Sequence, residues 1–251
     1  IPMIDIDERL IELFSEKAKE NIVDSIHIGL GYTAVVLKNK NCGVCCTLLN
    51  ASDNCTVYKC EEDFEGKSCY DLLLSLRTNK DNISRAIVIA MINALTQDST
   101  LKNQEDKDTL FDDLKLRKND KLAMIGYFKP LVKEAQRKNV YVKSYDIGRK
   151  IGEEKCFYNF VNEEASALII TATSLINNTF DSICSKIKYL NKPVAIIGPS
   201  TIMEPKLYED TPVSILAGTY VDDVTSVLKS IRNGKGTPEI HKHSKKVYIN
   251  F

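Results

Sequence analysis

Leu122-Ala123-Met124-Ile125-Gly126 is a short, apolar run that ends at a glycine. Such a run is typical of a strand in a parallel sheet, because both faces of the strand are buried. Helix-like segments separate it from similar runs further along the chain, at 140–145, 167–171, 194–198 and 213–218. Repeated strand–helix units predict an α/β fold with a doubly wound, mostly parallel, Rossmann-like sheet.

The sequence before this region has a different organisation. Residues 5–20 and 83–96 carry apolar residues at helical spacing, whereas residues 26–36 alternate as in one continuous strand. A turn at 39–41 leads into a returning strand, and residues 97–120 are polar enough to act as a linker. We therefore predict a small α+β domain over residues 1–105 and an α/β domain over residues 106–251.

Composition narrows the classes of partner. Lys plus Arg and Asp plus Glu number 34 each, so the chain has no overall charge to attract nucleic acid or anionic lipid. No apolar run is long enough to cross a bilayer, and the first residues lack the pattern of a secretory signal. We expect a cytoplasmic protein with a small-molecule ligand and with neither nucleic-acid nor membrane partners. The sequence leaves open whether the chain forms a homo-oligomer.

Small and hydroxylated residues follow the predicted strands. Doubly wound sheets bind ligands beyond the carboxyl ends of their strands, so these residues are candidates for binding a small polar or anionic molecule. The alternative is that they serve only as turn and cap residues. Asp146 could bind ribose hydroxyls or be an exposed loop residue. The candidates are Gly126, Tyr127, Asp146, Thr171, Thr173, Asn177, Gly198, Ser200, Thr201 and Gly218.

Cysteine and histidine provide weaker candidates for a metal site. Cys42 and Cys45 have metal-like spacing, and Cys46, Cys55 and Cys60 follow. His241 and His243 would share a face of an extended segment. Buried packing of the thiols and a polar surface for the histidines are the alternatives. Residues 29–34 formally fit a dinucleotide motif, but the alternating pattern around them favours strand over strand–turn–helix.

Several segments taken together resemble one family, described as putative heavy-metal chelation proteins. The resemblance covers nearly the whole chain and is specific only in combination. Its segments are 28–35, 90–95, 124–132, 170–179, 198–201 and 216–218. Cys45 and Cys46 depart from the small residues that the family has there.

This resemblance implies an enolase N-terminal-like domain followed by a Rossmann-like domain, with a site between the two. It adds Tyr32, Thr33 and Asn93 as residues that would face the cleft, while a core role for Tyr32 and Asn93 is the alternative. It implies a role in the metabolism of a pterin, flavin or siderophore-like metal chelator. Direct binding of a heavy metal and a methyltransferase-like activity are the alternatives, and no catalytic residue or cofactor is assigned.

Overall fold

The structure is a computed structural model that describes residues 5–49, 56–187 and 191–251. The first part of the chain contains α1 (Ile6–Lys19), β1 (Val23–Ile28), β2 (Tyr32–Leu37), β3 (Cys42–Cys46), α2 (Cys69–Leu74), a 3-10 turn (Ser75–Arg77) and α3 (Asn82–Leu95). Two short helices, α4 (Ser99–Lys102) and α5 (Leu110–Asp113), lie in the stretch predicted to be a linker.

The rest of the chain contains β4 (Lys121–Ile125), α6 (Lys129–Arg137), β5 (Tyr141–Tyr145), α7 (Glu154–Glu163), β6 (Ala167–Thr171), α8 (Thr173–Ile176), α9 (Phe180–Lys186), β7 (Val194–Ile197), a 3-10 turn (Pro205–Tyr208), β8 (Ile215–Val221), α10 (Val224–Arg232), α11 (Thr237–Lys242) and β9 (Ser244–Asn250). Helix α9 ends at Lys186, and residues 188–190 lie outside the described residues.

Two sheets organise the molecule. Strands β1, β2 and β3 form an antiparallel sheet, and the larger sheet has the order β5-β4-β6-β7-β8-β9. Neighbouring strands from β5 to β8 are parallel, whereas β9 runs antiparallel to β8. The predicted α/β fold with a doubly wound, mostly parallel sheet is confirmed. None of the helices within the described ranges has the length and apolar character needed to span a bilayer.

The continuous strand predicted over 26–36 was wrong. The chain turns back after β1, and the Gly29 N–H donates to the Tyr32 carbonyl (2.9 Å) to close the turn. Alternation runs through both strands of the hairpin and so does not mark the turn between them. A Cβ on Gly29 would stand 2.6 Å from the Ile231 carbonyl oxygen, so glycine is needed for this close approach to the end of α10.

Helix α3 is buried almost throughout, because sheet and helices surround it. The Asp81 carboxylate caps its first turn by accepting from the Ser84 N–H (2.9 Å). An apolar cluster extends without interruption from α3 residues such as Ile87 and Met91 to Ile170 and Leu175 of the larger sheet region. The boundary predicted between residues 105 and 106 falls between α4 and α5, and it stays a prediction.

Candidate functional site

The order of the strands has a switch point between β4 and β6. The chain passes from β4 to β5 on one side, and β6, β7 and β8 follow on the other side, all parallel to β4. Alternate residues of β4 point to opposite faces, with Ile125 in the cluster packed by α7 and α9 and Met124 in the cluster packed by α6. The chain leaves β4 toward α6 and leaves β6 toward α8 and α9, which lie on the other face. Such a switch point opens a crevice at the carboxyl edge of the sheet, where ligands bind in folds of this type.

The carboxyl ends of β4, β6 and β7 lie side by side at this switch point. Gly126 has a φ of +94°, which disfavours other residues, and a Cβ there would stand 3.0 Å from the Thr171 Cβ. The Thr171 and Thr173 hydroxyls are 2.9 Å apart. Gly198, with a φ of +127°, adjoins Ala172. The structure therefore brings Gly126, Thr171, Thr173 and Gly198 together, and we call them the rim.

Tyr127 and Asp146 extend the rim toward β5. The Tyr127 carbonyl accepts a hydrogen bond from Arg149 Nη1 (2.9 Å), and the Arg149 guanidinium lies 5.7 Å from the centre of the Tyr127 ring. Asp146 Oδ1 accepts from the Arg149 N–H (3.0 Å). Sequence reasoning missed Arg149. Its position just after an acidic strand end was the only available signal, and a cation in a loop is too common to single out.

Ser200 and Thr201, in contrast, lie in the contact between the two sheets. Ser200 Oγ accepts from the Cys46 N–H (2.8 Å), and the Ser200 carbonyl accepts from Asn93 Nδ2 (3.4 Å). Ser200 is 2% exposed and Thr201 is 1% exposed. These residues join the loop after β7 to β3 and α3, so the structure shows close packing where the resemblance implied a cleft.

Tyr32 and Thr33 also use their hydroxyls inside the molecule. The Tyr32 hydroxyl lies 2.6 Å from Thr237 Oγ1, and Thr33 Oγ1 lies 2.9 Å from Thr47 Oγ1. Tyr32 is 4% exposed, and burial raises the pKa of its phenol above the ordinary value. Asn93 Nδ2 donates to the Val44 carbonyl (3.0 Å), while its Oδ1 is buried without a partner among the described residues.

The two remaining candidates are Asn177, whose N–H donates to the carbonyl of the rim residue Thr173 (3.1 Å), and Gly218. Asn177 is exposed after α8, where its carboxamide lies 2.6 Å from the Thr179 hydroxyl. The predicted strand end at Gly218 was wrong, because β8 continues to Val221 in its pairing with β9. A Cβ on Gly218 would stand 2.6 Å from Met203 Sδ, so this glycine lies beneath the chain that follows β7.

The metal candidates do not converge. Cys42 packs with Val36 and Val44 in one apolar cluster, whereas Cys45 packs with Val35 in the cluster on the other face of β3. Burial raises the pKa of the Cys42 thiol to about 12 and also raises that of Cys45, which opposes the thiolate that metals bind. Cys55 lies outside the described residues.

The metal site considered at His241 and His243 required an extended segment, whereas the structure has a helix there. His241 belongs to α11 and His243 is its C-cap, and side chains two residues apart on a helix do not face each other. Burial lowers the pKa of His241. Within the described ranges, no group of three or more His, Cys, Asp or Glu side chains is placed to hold a metal ion.

A carboxyl group in α9 has an environment that opposes its ionisation. Asp181 Oδ2 accepts from the Ile6 N–H (3.2 Å), and Oδ1 is buried without a partner within the described part of the chain. Burial raises the pKa of Asp181, and the charges of Asp5 and Asp7 raise it further against the opposing bond from Ile6. A raised pKa favours folding at low pH, and that contribution is lost as pH rises through the folded-state value.

Asp181→Asn is therefore expected to stabilise the protein at neutral pH. The amide keeps an acceptor for the Ile6 N–H and removes a half-buried charge, so the gain is up to about 1 kcal/mol after solvent screening. The gain should disappear near pH 3.5, where the wild-type carboxyl is protonated. Urea unfolding at both pH values checks this, and a variant less stable than wild type at pH 7 would contradict it.

Comparison with known proteins places the chain in a family. One family model, DUF4213, matches residues 11–96, and another, DUF364, matches residues 109–250; both are described as "Putative heavy-metal chelation". No curated protein matches the chain.

Two crystal structures of proteins of unknown function from the DUF364 family are similar. The protein from Pyrococcus horikoshii is 22% identical with a TM-score of 0.78, and the alignment covers 98% of this chain and 100% of that one. The protein from Desulfitobacterium hafniense is 16% identical with a TM-score of 0.77, and the alignment covers 99% of each chain. At these identities the likeness shows the fold. Because the DUF364 model alone matches more than half of its length, the chain belongs to the family described as putative heavy-metal chelation.

Proposed function

We propose that this chain binds a small, polar, heteroaromatic molecule at the rim, between the carboxyl ends of β4 and β6. The observation that carries the proposal is the contact of Gly126 with Thr171 at the strand-order reversal. Gly126 itself is buried, and its lack of a side chain lets the ends of β4 and β6 come close together at the place where doubly wound sheets bind ligands.

The groups offered there are mostly neutral. The Thr171 and Thr173 hydroxyls can each donate and accept, and both threonines are partly exposed. Gly198 leaves space beside them because it has no side chain. A ligand with alternating donors and acceptors on a flat ring suits such a set better than a compact ion does.

Tyr127 supplies an aromatic surface next to these donors. It follows Gly126 directly and is partly exposed. Stacking on a tyrosine ring orients a flat ligand and adds binding energy that its hydrogen bonds alone do not provide. Pterins and flavins have this combination of a flat ring with polar edges. Together with the family description, this supports a role in metal-chelator metabolism in the cytoplasm.

Titration with pterin, followed by its fluorescence, tests the proposal. Tyr127→Ala is expected to weaken binding about tenfold, because stacking of a heteroaromatic ring is worth about 1–3 kcal/mol. Tyr141→Ala is the matched control, since Tyr141 is 57% exposed and begins β5 at the opposite end of the strand. Failure to bind pterin, or equal affinity of wild type and Tyr127→Ala, would contradict the proposal.

Direct binding of a heavy metal is the second candidate, favoured by the family description. Elemental analysis of protein purified without chelators separates the two functions. If the chain binds metal directly, about one metal ion per chain should remain bound and should fall on replacing Cys42 or Cys45 by Ser. Given the opposed faces of these two thiols, we expect no such loss.

A further inference from the structure

Arg149 is held at the rim by its own loop. The backbone of Asp146 pairs with that of Ile151 through two hydrogen bonds (3.0 and 2.9 Å), which closes a tight loop after β5. Inside this loop, Asp146 Oδ1 accepts from the Arg149 N–H (3.0 Å). The backbone of Arg149 is therefore fixed relative to the strand end, and Asp146 acts to position it.

The Arg149 guanidinium has one N–H group bonded to the protein, while the side chain as a whole stays largely exposed to solvent. Nη1 donates to the Tyr127 carbonyl (2.9 Å), and the group lies 5.7 Å from the centre of the Tyr127 ring. Asp146 Oδ2 is 3.9 Å from Nε, which is beyond hydrogen-bond distance. The Arg149 side chain is still 59% exposed. A guanidinium has five N–H donors, so most of them remain able to face a ligand that lies on Tyr127.

We infer that Arg149 selects a ligand whose flat ring carries an anionic group, a carboxylate or a phosphate. The inference rests on the proposed function, because Tyr127 must bind the ring. With the ring on Tyr127, an acidic substituent that points toward β5 meets the free edge of the guanidinium. Arginine pairs with both groups through two parallel hydrogen bonds, which fixes direction as well as charge.

The charges around Arg149 also favour a ligand with an anionic group. Asp146 is the acidic group beside it, and one of its oxygens already accepts from the loop backbone. Lys129 and Lys150 are both exposed on the flanking segments of the chain. The segments directly after β4 and β5 thus carry Lys129, Arg149 and Lys150 against Asp146, and the next acidic residues, Glu153 and Glu154, begin α7.

A pair of probes that differ by one carboxylate group tests the inference: pterin and pterin-6-carboxylate, titrated into the full chain. Wild type is expected to bind the carboxylate about tenfold tighter or more, as for a charge-assisted pair. Arg149→Ala should reduce the preference for the carboxylate to less than about threefold, whatever its effect on the affinity for neutral pterin. Arg149→Lys should keep part of it, since the charge remains and the planar fork is lost. Thermal unfolding verifies that each variant is folded.

Arg137→Ala is the matched control. Arg137 is an exposed arginine at the far end of α6, so its removal changes net charge equally without touching the rim. The preference should survive this change. Equal binding of both probes to wild type, or a preference unaffected by Arg149→Ala, would overturn the inference and leave the proposed function standing. If neither probe binds, both are overturned.

Discussion

Replacing Arg85 by Met is expected to lower the free energy of unfolding by about 3–5 kcal/mol, the range found when one partner of a buried ion pair is removed. Arg85 is 1% exposed although it lies in the middle of α3. Its Nη1 and Nη2 donate to the two carboxylate oxygens of Asp7 (2.7 and 2.8 Å). Without the arginine, Asp7 would keep a buried charge, and Lys80 would be its one remaining charged partner among the described residues.

The same guanidinium joins the two parts of the chain. Nε donates to the Ile176 carbonyl (2.9 Å) and Nη2 to that of Leu175 (2.8 Å), at the carboxyl end of α8. Helix α8 begins at Thr173, one of the rim residues. Arg85→Met leaves these carbonyls without their charged donor, so we expect pterin binding at the rim to weaken together with stability.

Arg77→Met is the matched control. Arg77 also pairs with a carboxylate through two hydrogen bonds, to Glu8 (2.9 and 2.8 Å), but both side chains are about half exposed. Exposed pairs contribute about 0–1 kcal/mol. Urea unfolding of both variants measures the difference, and similar losses for Arg77→Met and Arg85→Met would show that burial does not set the value.

The Arg85–Asp7 ion pair should also affect how the stability of the protein depends on pH in acid. Burial opposes ionisation of Asp7, but hydrogen bonds and charge from Arg85, and then Lys80, hold its pKa below the ordinary value. A lowered pKa contributes stability above the unfolded-state value of about 3.9, and this is lost as pH falls through the folded-state value. Wild type should therefore lose stability in that window. Arg85→Met should lose less there, because the pair is already broken.

Much of the fold could be predicted because its strands are short apolar runs. Neighbouring residues such as Met124 and Ile125 pack on opposite faces of the parallel sheet, so both faces are buried and each strand is an unbroken apolar run. Alternation could not show where β1 ends, because it continues through the turn into β2. Arg85 could not be predicted as a buried link either, since its partners Asp7 and Leu175 are far away in sequence.

The site could be predicted only in part for a similar reason. Gly126 and Thr171 lie at strand ends, and parallel strands bring such ends together. Ser200 has the same sequence context, yet β3 packs directly on it through the Cys46 N–H. Which part of a sheet edge a second domain covers depends on contacts between distant segments, and these are not encoded in local patterns.

Gly43→Ala is expected to destabilise the protein by about 3 kcal/mol or more, although it adds a single methyl group. A Cβ on Gly43 would stand 2.0 Å from the Ala90 carbonyl oxygen and 2.2 Å from the Ala94 nitrogen. Both are backbone atoms of α3, so β3 and the helix would have to separate. Ala90→Gly should not rescue the variant, because it leaves the obstructing backbone atoms in place.

Gly148→Ala is the control for this substitution. A Cβ there would meet only Asp146 Oδ1, at an ordinary 3.5 Å, so stability should change by less than about 0.5 kcal/mol. Urea unfolding of both variants makes the comparison. Between Cys42 and Cys45, Gly43 would then contribute most to stability, because it sets how closely the small sheet approaches α3. A loss below about 1 kcal/mol for Gly43→Ala would mean that this contact is not close-packed.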